Sequence, residues 1–109
     1  MHTETNLKIL KHIELNPNVS QRELAKELGV SVGKVNYCLR SLIDKGFVKA
    51  SNFKRSTNKL SYLYLLTPRG IEEKISLTAN FLKRKIVEHE KITQEIEQLK
   101  KDAASNNIT

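Results

Sequence analysis

Apolar residues near the start of the chain recur at the spacing expected of amphipathic helices. Three of them predict a first helix over residues 5–15, namely Leu7, Leu10 and Ile13. The sequence Asn-Pro-Asn at 16–18 predicts a break after that helix. A second helix begins at Ser20, which can form a capping box with Glu23, and Gly29 is a natural stop for it.

A third helix is predicted to follow almost at once. Ser31 is a suitable N-cap, Gly46 ends the segment, and the apolar face between them consists of Val35, Leu39, Leu42 and Ile43, with Cys38 beside it. Two helices joined by the short turn at 29–31 predict a helix-turn-helix, although a helical hairpin within a bundle would show the same pattern.

The following segment favours the first of these interpretations. Residues 47–50 and 60–66 are β-prone, and the link at 51–59 is polar and basic, which predicts a hairpin with a charged tip. Helix, helix-turn-helix and basic hairpin are arranged in the order of a winged helix. Thr67 as N-cap and Pro68 in the first turn then predict a last helix that continues to about Lys101.

We therefore predict a mainly α fold with a small β-hairpin, of the α+β class. Residues 5–67 form the winged helix-turn-helix, residues 68–101 form a long C-terminal dimerisation helix, and residues 102–109 form a flexible tail.

Positive charge is concentrated in the first part of the chain. Residues 1–70 hold twelve Lys and Arg against five Asp and Glu, whereas residues 71–109 hold seven of each. The net charge of +7 therefore belongs to the first 70 residues. A one-sided basic field attracts polyanions, foremost DNA, although a solubility charge or affinity for an anionic membrane would also give this balance.

The face of the third helix opposite its apolar side carries groups suited to DNA contact. Lys34 and Arg40 can donate to guanine or phosphate, Asn36 can make a paired contact with adenine, and Tyr37 can contact a phosphate or a thymine methyl group. Gly33 allows close approach near the helix N-terminus. An ordinary solvated helix face is the alternative. The complete predicted DNA-binding set is Gln21, Arg22, Ser31, Gly33, Lys34, Asn36, Tyr37, Arg40, Lys54, Arg55 and Lys59.

The residues of this set outside the third helix have less defined roles. Lys54, Arg55 and Lys59 in the hairpin are expected to reach the DNA backbone or minor groove, unless the hairpin is simply solvated. Gln21 and Arg22 open the second helix, where they can hold a phosphate or remain in solvent.

The C-terminal helix has an apolar stripe with heptad-like spacing that suits a two-helix seam. We expect a homodimer through Ile75, Leu82, Ile92, Ile96 and Leu99. Lys85 and His89 interrupt the stripe, and a monomer whose last helix folds back on its own core is the alternative.

Several classes of protein are not expected. The chain has no apolar span suited to a membrane, and residues 1–8 lack a signal-peptide pattern, so we expect a cytoplasmic protein without a membrane partner. Cys38 is the only cysteine, and no metal site, cofactor site or catalytic set is present in the sequence. Nothing in the sequence identifies a small-molecule effector.

Several of these motifs together resemble MarR-type winged-helix regulators. They are residues 20–25, 29–31, 42–48 and 66–70. Residues 34–39, 52–54, 58–59, 66–68 and 81–85 resemble more closely the exopolysaccharide-associated subgroup. The resemblance implies a DNA-binding regulator encoded near polysaccharide biosynthesis genes, with Gly33, Lys34, Asn36, Tyr37 and Arg40 on the base-reading surface. The family's extra N-terminal helix and usual wing signature are missing, so dimerisation would depend mainly on the C-terminal helix.

The sequence thus predicts a sequence-specific regulator that binds double-stranded DNA as a homodimer. Two rivals remain: a winged helix used as a protein-interaction module, and a DNA-binding architectural protein without sequence preference.

Overall fold

The fold of the chain was obtained as a computed structural model that describes residues 2–56 and 59–106, without the side chains of residues 53–61. The order of elements is α1 (Thr3–Leu15), α2 (Gln21–Leu28), α3 (Val32–Asp44), β1 (Val48–Ser56), β2 (Lys59–Leu66) and α4 (Pro68–Ser105). This is the predicted fold class: helices with one antiparallel hairpin, β1–β2, which we call the wing.

The first unit of the structure spans Met1–Thr78 and is built around one apolar core. Its buried members come from the three short helices, from Val19 between α1 and α2, and from the base of the wing. They are Ile9, Leu10, Ile13, Val19, Leu24, Ala25, Val35, Cys38, Leu39, Leu42, Val48 and Tyr64. The core is therefore closed by one residue from each strand.

The predicted helix caps are present in the structure. Ser20 and Glu23 form both bonds of the capping box, and Gly29 ends α2 in the left-handed conformation with φ of 68°. The Ser31 Oγ atom accepts a hydrogen bond from the Lys34 amide at 3.0 Å. The Thr67 Oγ1 atom accepts one from the Gly70 amide at 3.0 Å and so caps α4. These local bonds fix where each helix begins.

The wing is longer than the β-prone runs of the sequence. Its strands pair from Val48 opposite Leu66 to Ser56 opposite Lys59, with one register shift between Lys54 and Ser56. The polar segment predicted as the link therefore belongs largely to β1. Backbone hydrogen bonds of a ladder do not depend on side-chain type, so a β-prone partner strand can hold a polar one.

The base of the wing is tied to the start of α4. The Thr67 amide donates to the Phe47 carbonyl at 3.1 Å, and the Thr67 hydroxyl donates to the Gly46 carbonyl. The Arg69 guanidinium lies over the Phe47 ring, 5.4 Å from its centre. Gly70 is buried so close to Phe47 that a Cβ atom there would lie 1.9 Å from the Phe47 carbonyl oxygen. The two motifs at 42–48 and 66–70 are thus in direct contact.

Helix α4 runs through the boundary between the two compact units, which falls after Thr78. The boundary predicted from the sequence lies at the start of this helix instead. Leu77 packs against the core of the first unit, and Lys74 forms an ion pair with Glu14 of α1, so the first turns of α4 belong with the winged helix.

In the second unit, Ala79–Thr109, helix α4 continues as far as Ser105. The helix therefore continues four residues beyond the predicted end at Lys101. Ala103 and Ala104 favour the helical conformation, and a hydrogen bond from the Gln98 side chain to the Asp102 carboxylate supports the last turns. No helix within the described residues is both long enough and apolar enough to cross a membrane.

Candidate nucleic-acid interface

Helix α3 presents two chemically distinct faces. Val35, Cys38, Leu39 and Leu42 are buried in the core and fix the rotation of the helix about its axis. The opposite face places Gly33, Tyr37 and Arg40 in solvent, and the Tyr37 side chain is 64% exposed. The structure thus brings together, on one outward surface, the residues predicted from the helical spacing.

Lys34 and Asn36 lie at the border of this surface and are half-buried. The amide of Lys34 donates to Ser31, whose hydroxyl oxygen is therefore used for capping the helix. One acid, Asp44, follows at the far end of the exposed face, at the C-terminus of α3. Negative charge is thus kept away from the N-terminal turns, where free amides favour an anion.

Gln21 does not extend into solvent as the adjacent Arg22 does. The Gln21 Nε2 atom donates to the hydroxyl of Tyr64 at 3.3 Å, and the Gln21 Oε1 atom accepts from Asn36 Nδ2 at 3.2 Å. A continuous polar chain therefore connects strand β2, the first residue of α2 and the middle of α3. We call Tyr64, Gln21 and Asn36 the amide relay. Neither this arrangement nor the participation of Tyr64 is predicted by the sequence.

The wing supplies the other part of the predicted interface. The side chains of Lys54, Arg55 and Lys59 lie outside the described residues, and Asn58 lies outside them entirely. The backbone places Lys54 and Arg55 in β1 and Lys59 at the start of β2, so all three belong to the distal half of the hairpin. Nearer its base, the stacked rings of Tyr62 and Tyr64 are 6.0 Å apart.

Cys38 lies on the inner side of α3 and is 1% exposed. Burial raises the pKa of its thiol above the ordinary value, and the positive charge of Lys34 opposes that shift. A buried thiol with a raised pKa is a poor nucleophile, so Cys38 serves the core rather than chemistry.

The predicted dimerisation residues are all exposed along α4. Ile75, Leu82 and Ile96 recur at intervals of seven residues with His89 between the last two, and Ile92 and Leu99 form a parallel row. Leu99, the most exposed of them, is 65% exposed. Where Lys85 interrupts the stripe, the cations of Arg84 and Lys85 lie over the Phe81 ring. These side chains therefore form an exposed apolar stripe along α4.

Comparison with known proteins agrees with this geometry. A family model described as winged helix-turn-helix DNA-binding matches residues 2–49. The first three helices of this chain are therefore similar to those of DNA-binding winged helix-turn-helix domains. Comparison with curated proteins gives no match.

Solved structures extend the likeness to nearly the whole chain. The PcaV transcriptional regulator of Streptomyces coelicolor superposes with a TM-score of 0.66 at 15% identity, over 94% of this chain and 79% of that one. A variant of S. aureus MepR bound to an oligodeoxyribonucleotide gives a TM-score of 0.59 at 21% identity, over 93% and 77%. A MarR transcriptional regulator of Methanosarcina mazei Go1 gives 0.57 at 16% identity, over 93% and 77%.

These likenesses establish that the chain has the winged-helix fold of MarR-type regulators, as the sequence predicted. The expectation that it is not an enzyme agrees with them too, since PcaV and the Methanosarcina mazei protein are transcriptional regulators. None of them points to the exopolysaccharide-associated subgroup, which stays a prediction from sequence.

Proposed function

We propose that this protein is a transcriptional regulator that binds double-stranded DNA at specific sequences as a homodimer. The observation that carries the proposal is the outward face of α3, where Tyr37 and Arg40 stand exposed on a helix whose other face is fully buried. A rigidly held helix with hydrogen-bonding side chains on its free side is the device by which helix-turn-helix domains enter the major groove.

The distribution of charge supports the same assignment. The surplus of basic residues lies in the segment that contains α3 and the wing, and the remainder of the chain is neutral. Within this proposal Arg40 reads a base edge or a phosphate at the centre of the surface. Lys54, Arg55 and Lys59 hold the DNA backbone or minor groove beside it, without sequence preference.

The proposal is tested by selecting bound duplexes from a random DNA pool and then measuring affinity by fluorescence anisotropy. We expect enrichment of a palindrome and an affinity that falls steeply between about 50 and 200 mM salt. Binding without enrichment would indicate an architectural protein, and absence of binding would indicate a protein-interaction module. Either result refutes the proposal.

Two substitutions separate the proposed roles of helix and wing. Arg40→Ala should abolish or relax the preference for the selected site, by about 1–3 kcal/mol if its contact is bidentate. Lys54→Ala should weaken binding to selected and random duplexes by a similar factor, and should reduce the salt slope by about one. Unchanged affinity in both variants would show that DNA binds elsewhere.

The homodimer rests on the stripe of α4. Exposed apolar side chains at heptad spacing are stabilised when a second helix covers them, and two α3 helices would then face two half-sites of DNA. Light scattering after size-exclusion chromatography should give twice the chain mass of 12.5 kDa at micromolar concentration. A mass near that of one chain would refute this part alone.

The proposal also covers the genes that the protein regulates and its location in the cell. The resemblance of residues 34–39 and 52–54 to the exopolysaccharide-associated subgroup suggests operators near polysaccharide biosynthesis genes, and DNA binding implies work in the cytoplasm. Sequencing of genomic fragments from the source organism that the purified protein retains would test the target genes. Enrichment at unrelated genes would refute this assignment.

A further inference from the structure

The amide relay gives Asn36, at the border of the outward face of α3, a hydrogen-bonding partner that is itself held in place. Asn36 donates to Gln21 at 3.2 Å, and Gln21 donates to Tyr64 at 3.3 Å. Tyr64 is itself anchored, because it is 4% exposed in the core and its backbone amide donates to the Pro17 carbonyl at 3.0 Å. The relay therefore ends on a residue of the packed core.

The bond to Gln21 uses only part of the hydrogen-bonding capacity of Asn36. A carboxamide has two N–H donors and one carbonyl acceptor, and the bond to Gln21 uses one donor. The other N–H and the Oδ1 atom remain. This pair matches the N7 acceptor and the N6 donor that adenine presents in the major groove.

The relay also restricts rotation. The terminal torsion of an asparagine has broad energy wells, so an isolated side chain on a solvated helix face samples several orientations. A hydrogen bond to Gln21, which is also bonded to Tyr64, narrows the range of Asn36 orientations before DNA binds. Contact groups fixed in advance lose less entropy on binding, and they also discriminate more sharply against the wrong base.

We propose that Gln21 is a positioning residue that, anchored on the Tyr64 hydroxyl, orients Asn36 to recognise adenine. This inference rests on the proposed function and replaces the phosphate-holding role predicted for Gln21. Tyr64 thereby couples the base of the wing to base selection, although it does not itself touch DNA.

The test uses the full-length protein, the selected duplex, and duplexes in which each A·T pair of the site is replaced by G·C in turn. Asn36→Ala should remove the preference for adenine at one position of each half-site, by about 5- to 150-fold. Gln21→Ala and Tyr64→Phe should reduce the preference at that same position by a smaller factor. In the Asn36→Ala background, neither should have a further effect there.

Arg22→Ala is the matched control, since Arg22 is the exposed neighbour of Gln21 on α2. It should change affinity for all duplexes alike and leave the adenine preference in place. Circular dichroism melting of each variant separates altered recognition from loss of fold, and Tyr64→Phe keeps the buried ring. In the free protein, the side-chain amide NMR signals of Asn36 should shift in Gln21→Ala and stay in place in Arg22→Ala.

The results distinguish the relay from the function on which it rests. If the unmodified protein selects no sequence, the proposed function fails first. If it selects a site and Gln21→Ala weakens every duplex equally, Gln21 holds a phosphate and the relay proposal is wrong. A Gln21→Ala protein with undiminished adenine preference would overturn it as well.

Discussion

Replacing Gly70 with alanine tests the contact between the base of the wing and helix α4. Alanine is the better helix former, so intrinsic propensity alone would stabilise the variant by about 0.5–1 kcal/mol. The structure predicts the opposite sign. An added Cβ atom would lie 1.9 Å from the Phe47 carbonyl oxygen and 2.9 Å from its carbonyl carbon, where real contacts essentially never fall below 3.0 Å.

The size of the effect follows from what must move. The atoms in the way belong to the backbone, so α4 and Phe47 must separate by about 1 Å. That separation strains the hydrogen bond from the Thr67 amide to the same Phe47 carbonyl. Overpacking costs typically 1–3 kcal/mol and a lost hydrogen bond about 1 kcal/mol. After the gain in helix propensity, we expect a net loss of about 1–3.5 kcal/mol in the free energy of unfolding.

Urea unfolding followed by circular dichroism measures this loss, at one fixed protein concentration because association shifts apparent stability. Gly33→Ala is the control: it also lies in a helix, but the nearest atom to its added Cβ would be Ser31 Oγ at 3.9 Å. That variant should gain stability. If Gly70→Ala gained as Gly33→Ala does, the close approach of α4 to Phe47 would not exist in solution.

Three further predictions concern other parts of the molecule. Ser20→Ala removes the capping box of α2 and should cost about 1 kcal/mol in urea unfolding, whereas an unchanged midpoint would mean that the cap is not formed. Burial raises the pKa of the Cys38 thiol, so the stability that this group contributes is present below the ordinary thiol pKa of 9.0 and is lost as pH rises above it. The free energy of unfolding of Cys38→Ala should therefore fall less steeply with pH in that range than that of the unmodified protein. Equal slopes would count against this explanation. Ile96→Glu places a charge in the apolar stripe and should shift the mass in light scattering from dimer to monomer. The control Glu97→Gln should leave the mass unchanged. A dimeric Ile96→Glu protein would show that the dimer interface lies elsewhere.

The features that sequence predicted well depend on neighbours along the chain. The caps at Ser20, Ser31 and Thr67 each join residues three positions apart, so the residue types alone indicate the bond. The apolar faces of α1 and α3 follow from helical periodicity in the same way.

The features that sequence could not predict depend on contacts between distant segments. The relay joins residues 15 and 43 positions apart, and no pattern shows that the Gln21 amide would turn inward to Asn36 and Tyr64 rather than toward solvent. The close approach of Gly70 to Phe47 likewise depends on the tertiary fold, and no pattern in the sequence indicates it. The polar part of β1 is a strand because its partner is one, which local propensity does not show.

The length of the wing sets how far it can extend over a ligand. Its nine-residue strand β1 begins at the buried Val48 and, at about 3.3 Å per residue, spans roughly 30 Å to its distal end. That exceeds the combined width of a major and a minor groove, about 12 Å and 6 Å. In the proposed complex, a wing of this length can therefore reach the DNA backbone beyond the groove that α3 occupies.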